Sequence, residues 1–251
     1  SVYVAASHDR DSYTPLLALL AREVTPGGIP SFMVVDLLDR VKDPLSAGKA
    51  LDALDAMGWP EDVRNQRTEL LAAIGGVEYE LLKTVDQQVK QMTPEAAWIQ
   101  YQYALLVCAD YLTRFPDGRF AQYVELQRVF CDYRTNDLDS TLRHVEEFAK
   151  ARSDSSYLAP ALFVRGMALI DLGRCEEGTD QLVTLAREHP DNKVAVSALS
   201  AAGDEYSKRH EFAKAIECFR RIVDFYPKDP LAVRAAEKLT FLNPGGGSGA
   251  K

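Results

Sequence analysis

The chain has 251 residues, of which 47% are apolar and 26% charged, and a formal net charge of −8. These proportions exclude a disordered or fibrous chain and predict a folded protein with a sizeable core. The longest apolar run, Tyr103 to Ala109, falls far short of the roughly 20 residues that a membrane-spanning helix needs. Lysines and arginines never run longer than two. Clustered cations are what nucleic-acid backbones and anionic membrane surfaces require, so neither is an expected partner.

Residues 1–92 carry helix punctuation without a clear repeat. Thr14-Pro15, Ser31 after Pro30, Asp43-Pro44 and Glu61 after Pro60 supply helix starts, and Gly27-Gly28, Gly58 and Gly75-Gly76 supply stops. Apolar or small residues recur at three- and four-residue spacing between them, for example Leu45, Gly48, Leu51, Leu54 and Met57. The pattern predicts five short helices, near 14–24, 31–42, 44–57, 61–74 and 77–92.

Thr93-Pro94-Glu95 opens a longer helix ending before Pro116, and two more helices follow from Arg119 to Tyr133 and from Leu138 to Ala151, joined by Arg134-Thr135-Asn136-Asp137. Beyond residue 157 the sequence repeats itself. Gly166 recurs as Gly203 and Pro190 as Pro227, each 37 residues later, and apolar or small residues coincide at Leu169/Tyr206, Gly178/Ala215, Leu182/Phe219 and Leu185/Ile222. Stepping back from Pro190 by the same interval reaches Ser153 and then Pro116, so the phase persists while the side-chain pattern fades. Asp229-Pro230 caps a last helix, Leu231 to Leu242, and the tail PGGGSGAK over 244–251 reads as a flexible linker.

A unit of one helix, a tight turn and a second helix cannot bury its apolar faces alone, so it stacks on its neighbours. The expected fold is all-α: an α-solenoid of antiparallel helix pairs over 93–242, after an irregular helical region over 1–92 and before a tail over 243–251.

The repeat resembles the tetratricopeptide (TPR) family, and most of all the long-spaced form found in bacterial envelope proteins of the Tol-Pal accessory and outer-membrane-assembly lipoprotein type. Leu199, Gly203, Tyr206, Ala215, Phe219 and Pro227 carry the resemblance in the last full repeat, and Leu162, Gly166, Leu169, Gly178, Leu182 and Pro190 in the one before. At the same interval upstream stand Glu125, Val129, Asp132, Thr141, Val145 and Ser153, of which only Val129 and Val145 suit a packed helix pair. The resemblance implies a right-handed superhelix whose first helices line a concave groove, a protein or peptide as partner, and a periplasmic or membrane-anchored setting, with a cytoplasmic one as the alternative. Carried onto this chain, the groove positions include Tyr123, Leu126, Phe130, Tyr133, Phe163 and Met167, which are apolar or aromatic, and Ser200, Asp204 and Lys208, which are polar. The apolar set has a second reading, in which it packs against the N-terminal helices.

No phosphate-binding glycine loop, nucleophile elbow or zinc-protease helix occurs in the chain. Four cysteines at 108, 131, 175 and 218 lack metal-ligand spacing and read as buried free thiols. The four histidines are scattered, and His144 with Glu147 reads as a solvated polar face. Neither a cofactor nor an active site is therefore expected. The function read from the sequence is a non-catalytic scaffold or adaptor for protein–protein interaction. A small-molecule or lipid carrier with an apolar cavity is the alternative, and a self-assembling homo-oligomer a third reading.

Overall fold

The computed structural model describes residues 44–57 and 64–242. The helices expected near 14–24 and 31–42, the stops at Gly27-Gly28 and Gly58, and the tail lie outside the described residues. Within them every long element is a helix and no strand occurs. The order is α1 (Pro44–Met57), α2 (Arg64–Gln88), α3 (Pro94–Arg114), α4 (Ala121–Arg134), α5 (Leu138–Ala151), α6 (Leu158–Asp171), α7 (Cys175–Glu188), α8 (Val194–Lys208), α9 (Phe212–Phe225) and α10 (Pro230–Leu242), with a 3₁₀ turn at Val89–Gln91 after α2. The chain divides into two compact units between Cys131 and Asp132.

In the first unit α1 packs on α2 and α3, and α2 packs on α3. Ala47 and Leu51 meet Leu70 and Ile74 in one buried cluster, while Leu82 and Val85 join Tyr101, Ala104, Val107, Cys108 and Tyr111 in another. Helix α2 corrects the sequence reading, because Gly75-Gly76 lies inside it and joins the two helices expected at 61–74 and 77–92. Each glycine costs a helix interior about 1 kcal/mol relative to alanine. Burial of Leu70, Ile74, Leu82 and Val85 on one continuous face outweighs that cost. Gly75 also has a packing purpose: a Cβ there would stand 3.0 Å from Phe115 Cε2, so the ring closes on the helix only because no side chain intervenes. The start of α3 follows the sequence, with Pro94 in the first turn and the Thr93 hydroxyl accepting from Ala96 N at 3.3 Å.

In the second unit α5 through α10 pack in consecutive pairs. The 37-residue interval is written in the backbone over a longer stretch than in the side chains. First helices α4, α6 and α8 end alike. Asp137 N, Arg174 N and Glu211 N each donate to the carbonyl five residues back, on Asp132, Leu169 and Tyr206, at 2.9 Å. The residues before them, Asn136, Gly173 and His210, all take positive φ, at 62°, 79° and 61°. This is the left-handed helix ending that glycine favours and asparagine tolerates. The ends of α3, α5, α7 and α9 match as well: Phe115, Arg152, His189 and Tyr226 donate to the carbonyls of Tyr111, Phe148, Leu185 and Ile222.

Close approach inside each pair rests on small residues. A Cβ on Gly166 would stand 2.7 Å from Leu182, one on Gly203 2.8 Å from Phe219, and one on Gly178 2.7 Å from the Gly166 carbonyl oxygen. Leu182 and Phe219 thus occupy equivalent, fully enclosed sites, 0% and 1% exposed. Two polar residues at packing positions, Thr141 and Asp132, find partners in the structure. Thr141 is buried with its hydroxyl donating to Asp137 O at 2.8 Å, and buried Asp132 shares a 2.6 Å hydrogen bond with His144 Nδ1. His144 is therefore part of an interhelix polar contact, and the solvated pairing with Glu147 is corrected. A carboxylate stands where the later repeats have Leu169 and Tyr206 because an imidazole one helix away supplies its partner. All four cysteines are free, and Cys108, Cys131 and Cys218 are buried.

Candidate protein-binding face

In the first unit Tyr123 stands edge-on to Tyr79, ring centroids 5.2 Å apart, and Tyr79 stacks on Phe120 at 3.8 Å. The Arg119 guanidinium lies over the Phe120 ring at 4.3 Å. Beside this stack α2 borders an open cleft of about 670 Å³ lined by Gly76, Val77, Thr84 and Gln88 among others. Gly76 has nothing within 4 Å of where its Cβ would be, so its missing side chain is cleft space. Phe130 is half-buried, and Leu126 is buried at 4% exposure.

In the second unit the expected positions fall on α4, α6 and α8. Tyr133 is half-buried, and its hydroxyl donates to Asp171 Oδ2 at 2.7 Å. Burial first, then that bond to an anion, pushes the phenol up to about 12. Phe163 and Met167, on α6, pack half-buried against the core shared by α7, α8 and α9. Ser200 and Asp204 are half-buried on α8, and Lys208 is exposed at its end. Lys208 Nζ lies 2.9 Å from Glu205 and holds that carboxyl below its ordinary range.

Asp204 is the junction between α8 and α10. Its carboxylate takes a hydrogen bond from Lys238 and lies 3.6 Å from Arg234. These cations rim an open cleft of about 480 Å³ whose other walls are Ser207, Phe212, Glu237, Phe241 and Leu242. Phe212 is 44% exposed and Phe241 86%. Sequence reasoning placed the groove on Asp204 and Lys208 but missed this wall, having taken the last helix only as a cap. The signal was available: Phe241 stands 37 residues after Asp204 and 74 after Met167.

Among the described residues no group of three or more histidines, cysteines or carboxylates is placed to hold a metal ion. No described helix is long and apolar enough to cross a membrane. One buried group stands apart from the face described above. Glu78 of α2 is fully enclosed, and neither carboxyl oxygen has a hydrogen-bond partner. Loss of hydration, then the neighbouring Asp110 carboxylate, pushes it up to about 9 against the opposing pull of Arg114. The Arg114 side chain itself bridges Asp110 on its own helix and Asp52 on α1, at 2.8 Å each.

No curated protein matches the chain. The crystal structure of YrrB, a TPR protein with an unusual peptide-binding site, is similar over 90% of this chain and 97% of that one, at 17% identity and a TM-score of 0.48. A family model described as an outer membrane lipoprotein, YfiO, matches residues 83–245, from the end of α2 to just past α10. With well over half of its length matched, and with helix pairs repeating every 37 residues inside that stretch, the chain belongs to the YfiO outer membrane lipoprotein family.

Proposed function

We infer that the chain is a non-catalytic scaffold of the bacterial cell envelope that binds another protein by receiving an extended segment or loop on its first-helix face. The observation that carries this reading is the α8–α10 cleft. It sets two exposed phenylalanines, Phe212 and Phe241, beside the cations Arg234 and Lys238, which engage the expected groove residue Asp204. Aromatic anchors with an adjoining charged rim are the composition of protein-binding hot spots. Family membership supports an envelope setting, periplasmic or membrane-anchored. Phe163 and Met167 extend the same face along α6. Tyr123, Leu126 and Phe130 in the first unit, and Tyr133 in the second, are proposed as groove residues of α4.

The test places a photo-crosslinking residue at Ser207, in the wall of the cleft, and captures partners from envelope extracts, with and without Phe241→Ser and Ser200→Arg. Capture of a defined protein that both substitutions abolish, while the melting temperature holds, is the expected result. Undiminished capture by both variants would overturn the reading. A lipid or small molecule released by denaturing the purified protein would favour the carrier alternative.

A further inference from the structure

Helix α1 is held on α2 and α3 by a small apolar contact and by ionic ones. Ala47 and Leu51 close over Leu70 and Ile74 in a cluster separate from the larger one that joins α2 to α3. Asp55 takes hydrogen bonds from Arg67 of α2 at 2.6 and 2.7 Å, at an exposed site. Asp52 takes two more from Arg114 of α3, at 2.8 and 3.0 Å. The same guanidinium donates to Asp110 at 2.8 and 3.2 Å, so one cation serves two carboxylates. Gly48 of α1 lies directly on this pair: a Cβ there would stand 2.6 Å from Arg114 Nη2 and 2.9 Å from Asp110 Oδ2. Glu78 of α2 neighbours both Asp110 and Arg114, is 0% exposed, and has a hydrogen-bond partner on neither oxygen. A carboxyl enclosed in this way, next to the residues that anchor α1, ties the docking of that helix to a proton.

We propose that α1 undocks from α2 and α3 as a whole helix when Glu78 gives up its proton to water, which makes α1 a pH-sensitive cover over Leu70 and Ile74. The charges around Glu78 set the direction. From α3 it faces Asp110, Arg114 and the Tyr111 phenol, and from α1 Asp52 is linked to it through Arg114. Its own helix supplies Ile74, Gly75, Leu81 and Leu82 at three- and four-residue spacing, none of them charged. Ionised in the closed site, Glu78 would make three carboxylates share one guanidinium and would draw Arg114 away from Asp52, and so from α1. While α1 is in place, loss of hydration keeps the carboxyl protonated up to about 9. With α1 lifted, Gly48 no longer covers Asp110 and Arg114, water reaches the site, and Glu78 ionises at its ordinary value of 4.5. Opening between these two values therefore releases a proton, and rising pH favours the open state. What opens is apolar surface, since Leu70 and Ile74 are both 0% exposed beneath α1.

The experiment is hydrogen–deuterium exchange of the full chain from pH 5 to pH 8, with each rate corrected for the intrinsic pH dependence of amide exchange. The backbone amides of α1 are expected to be at least about tenfold less protected than those of Ala104 to Cys108 in α3, the mark of a local opening. Their protection should fall about three- to tenfold per pH unit, tenfold being the limit for one released proton. Glu78→Gln, and Glu78→Met as a second variant that cannot ionise, should flatten this dependence and keep α1 protected at pH 8. Asp52→Asn loosens the hold of Arg114 on α1 without removing the titrating group. It should lower α1 protection by about threefold at pH 5 and leave the slope as it is. Equal protection of α1 and α3 would mean that the first unit opens only as a whole. Protection of α1 that does not change with pH, or a slope that persists in the Glu78 variants, would mean that its docking is not linked to this proton. Each of these results overturns the proposal.

Discussion

Replacing Glu78 by glutamine should make the first unit more stable at pH 8 while changing little at pH 5. In the folded chain the Glu78 carboxyl is enclosed, lacks a hydrogen-bond partner and stays protonated up to about 9. In the unfolded chain it ionises at the ordinary value of 4.5. The stability it contributes is therefore complete below the unfolded value and drains away as pH rises towards the folded one, because unfolding then releases a proton. The limiting slope is about 1.4 kcal/mol per pH unit, so between pH 5 and pH 8 the wild type loses at most about 4 kcal/mol through this group. Water entry and local relaxation reduce that, and a difference of about 1–3 kcal/mol is expected. Glutamine keeps the shape and the unpaired polar atoms but cannot ionise. Every other titrating group is common to both proteins and cancels in the difference. Both tryptophans precede Cys131, so tryptophan fluorescence in urea reads the first unit selectively. Parallel urea midpoints from pH 5 to 8 would refute the reasoning and would mean that Glu78 is hydrated or paired in solution.

Gly203→Ala should cost about 1–3 kcal/mol, because its Cβ would stand 2.8 Å from Phe219 Cε1. In a Phe219→Ala background the same change should cost far less, and additive urea midpoints in the double-mutant cycle would show that the two residues are not opposed. Gly173→Ala should cost about 1–2 kcal/mol although nothing stands within 4 Å of the new Cβ, since the penalty lies in its φ of 79°. Conversely, Asn136→Gly, at φ 62°, should be neutral or slightly stabilising in thermal melts. His144→Ala leaves buried Asp132 without its 2.6 Å partner and should cost about 1–3 kcal/mol in urea melts.

What the sequence determined by itself was everything with a local cause. Thr93-Pro94, Asp137 and Asp229 mark helix starts because capping is decided by the next three residues. The 37-residue phase survives to Phe115 because the turns at each helix end need only a few backbone conformations, which unlike side chains can be met. The equivalence of Gly166 with Gly203 and of Leu182 with Phe219 followed from that phase. Tertiary structure decided whatever depends on residues far apart in the chain. Gly75 punctuates a helix when read locally, yet it lies within one because Phe115, 40 positions away, fills the space above it. Asp132 and Thr141 look unfit for a packed pair until a histidine and a backbone carbonyl are brought to them. Glu78 looks like one more surface carboxylate on α2, and only the packing of α3, with Asp110 and Arg114, against it removes its water. The exposure of Phe241 and Val233 belongs to the same class: a residue's type and register say which face it occupies, but burial depends on whether another helix arrives to cover that face.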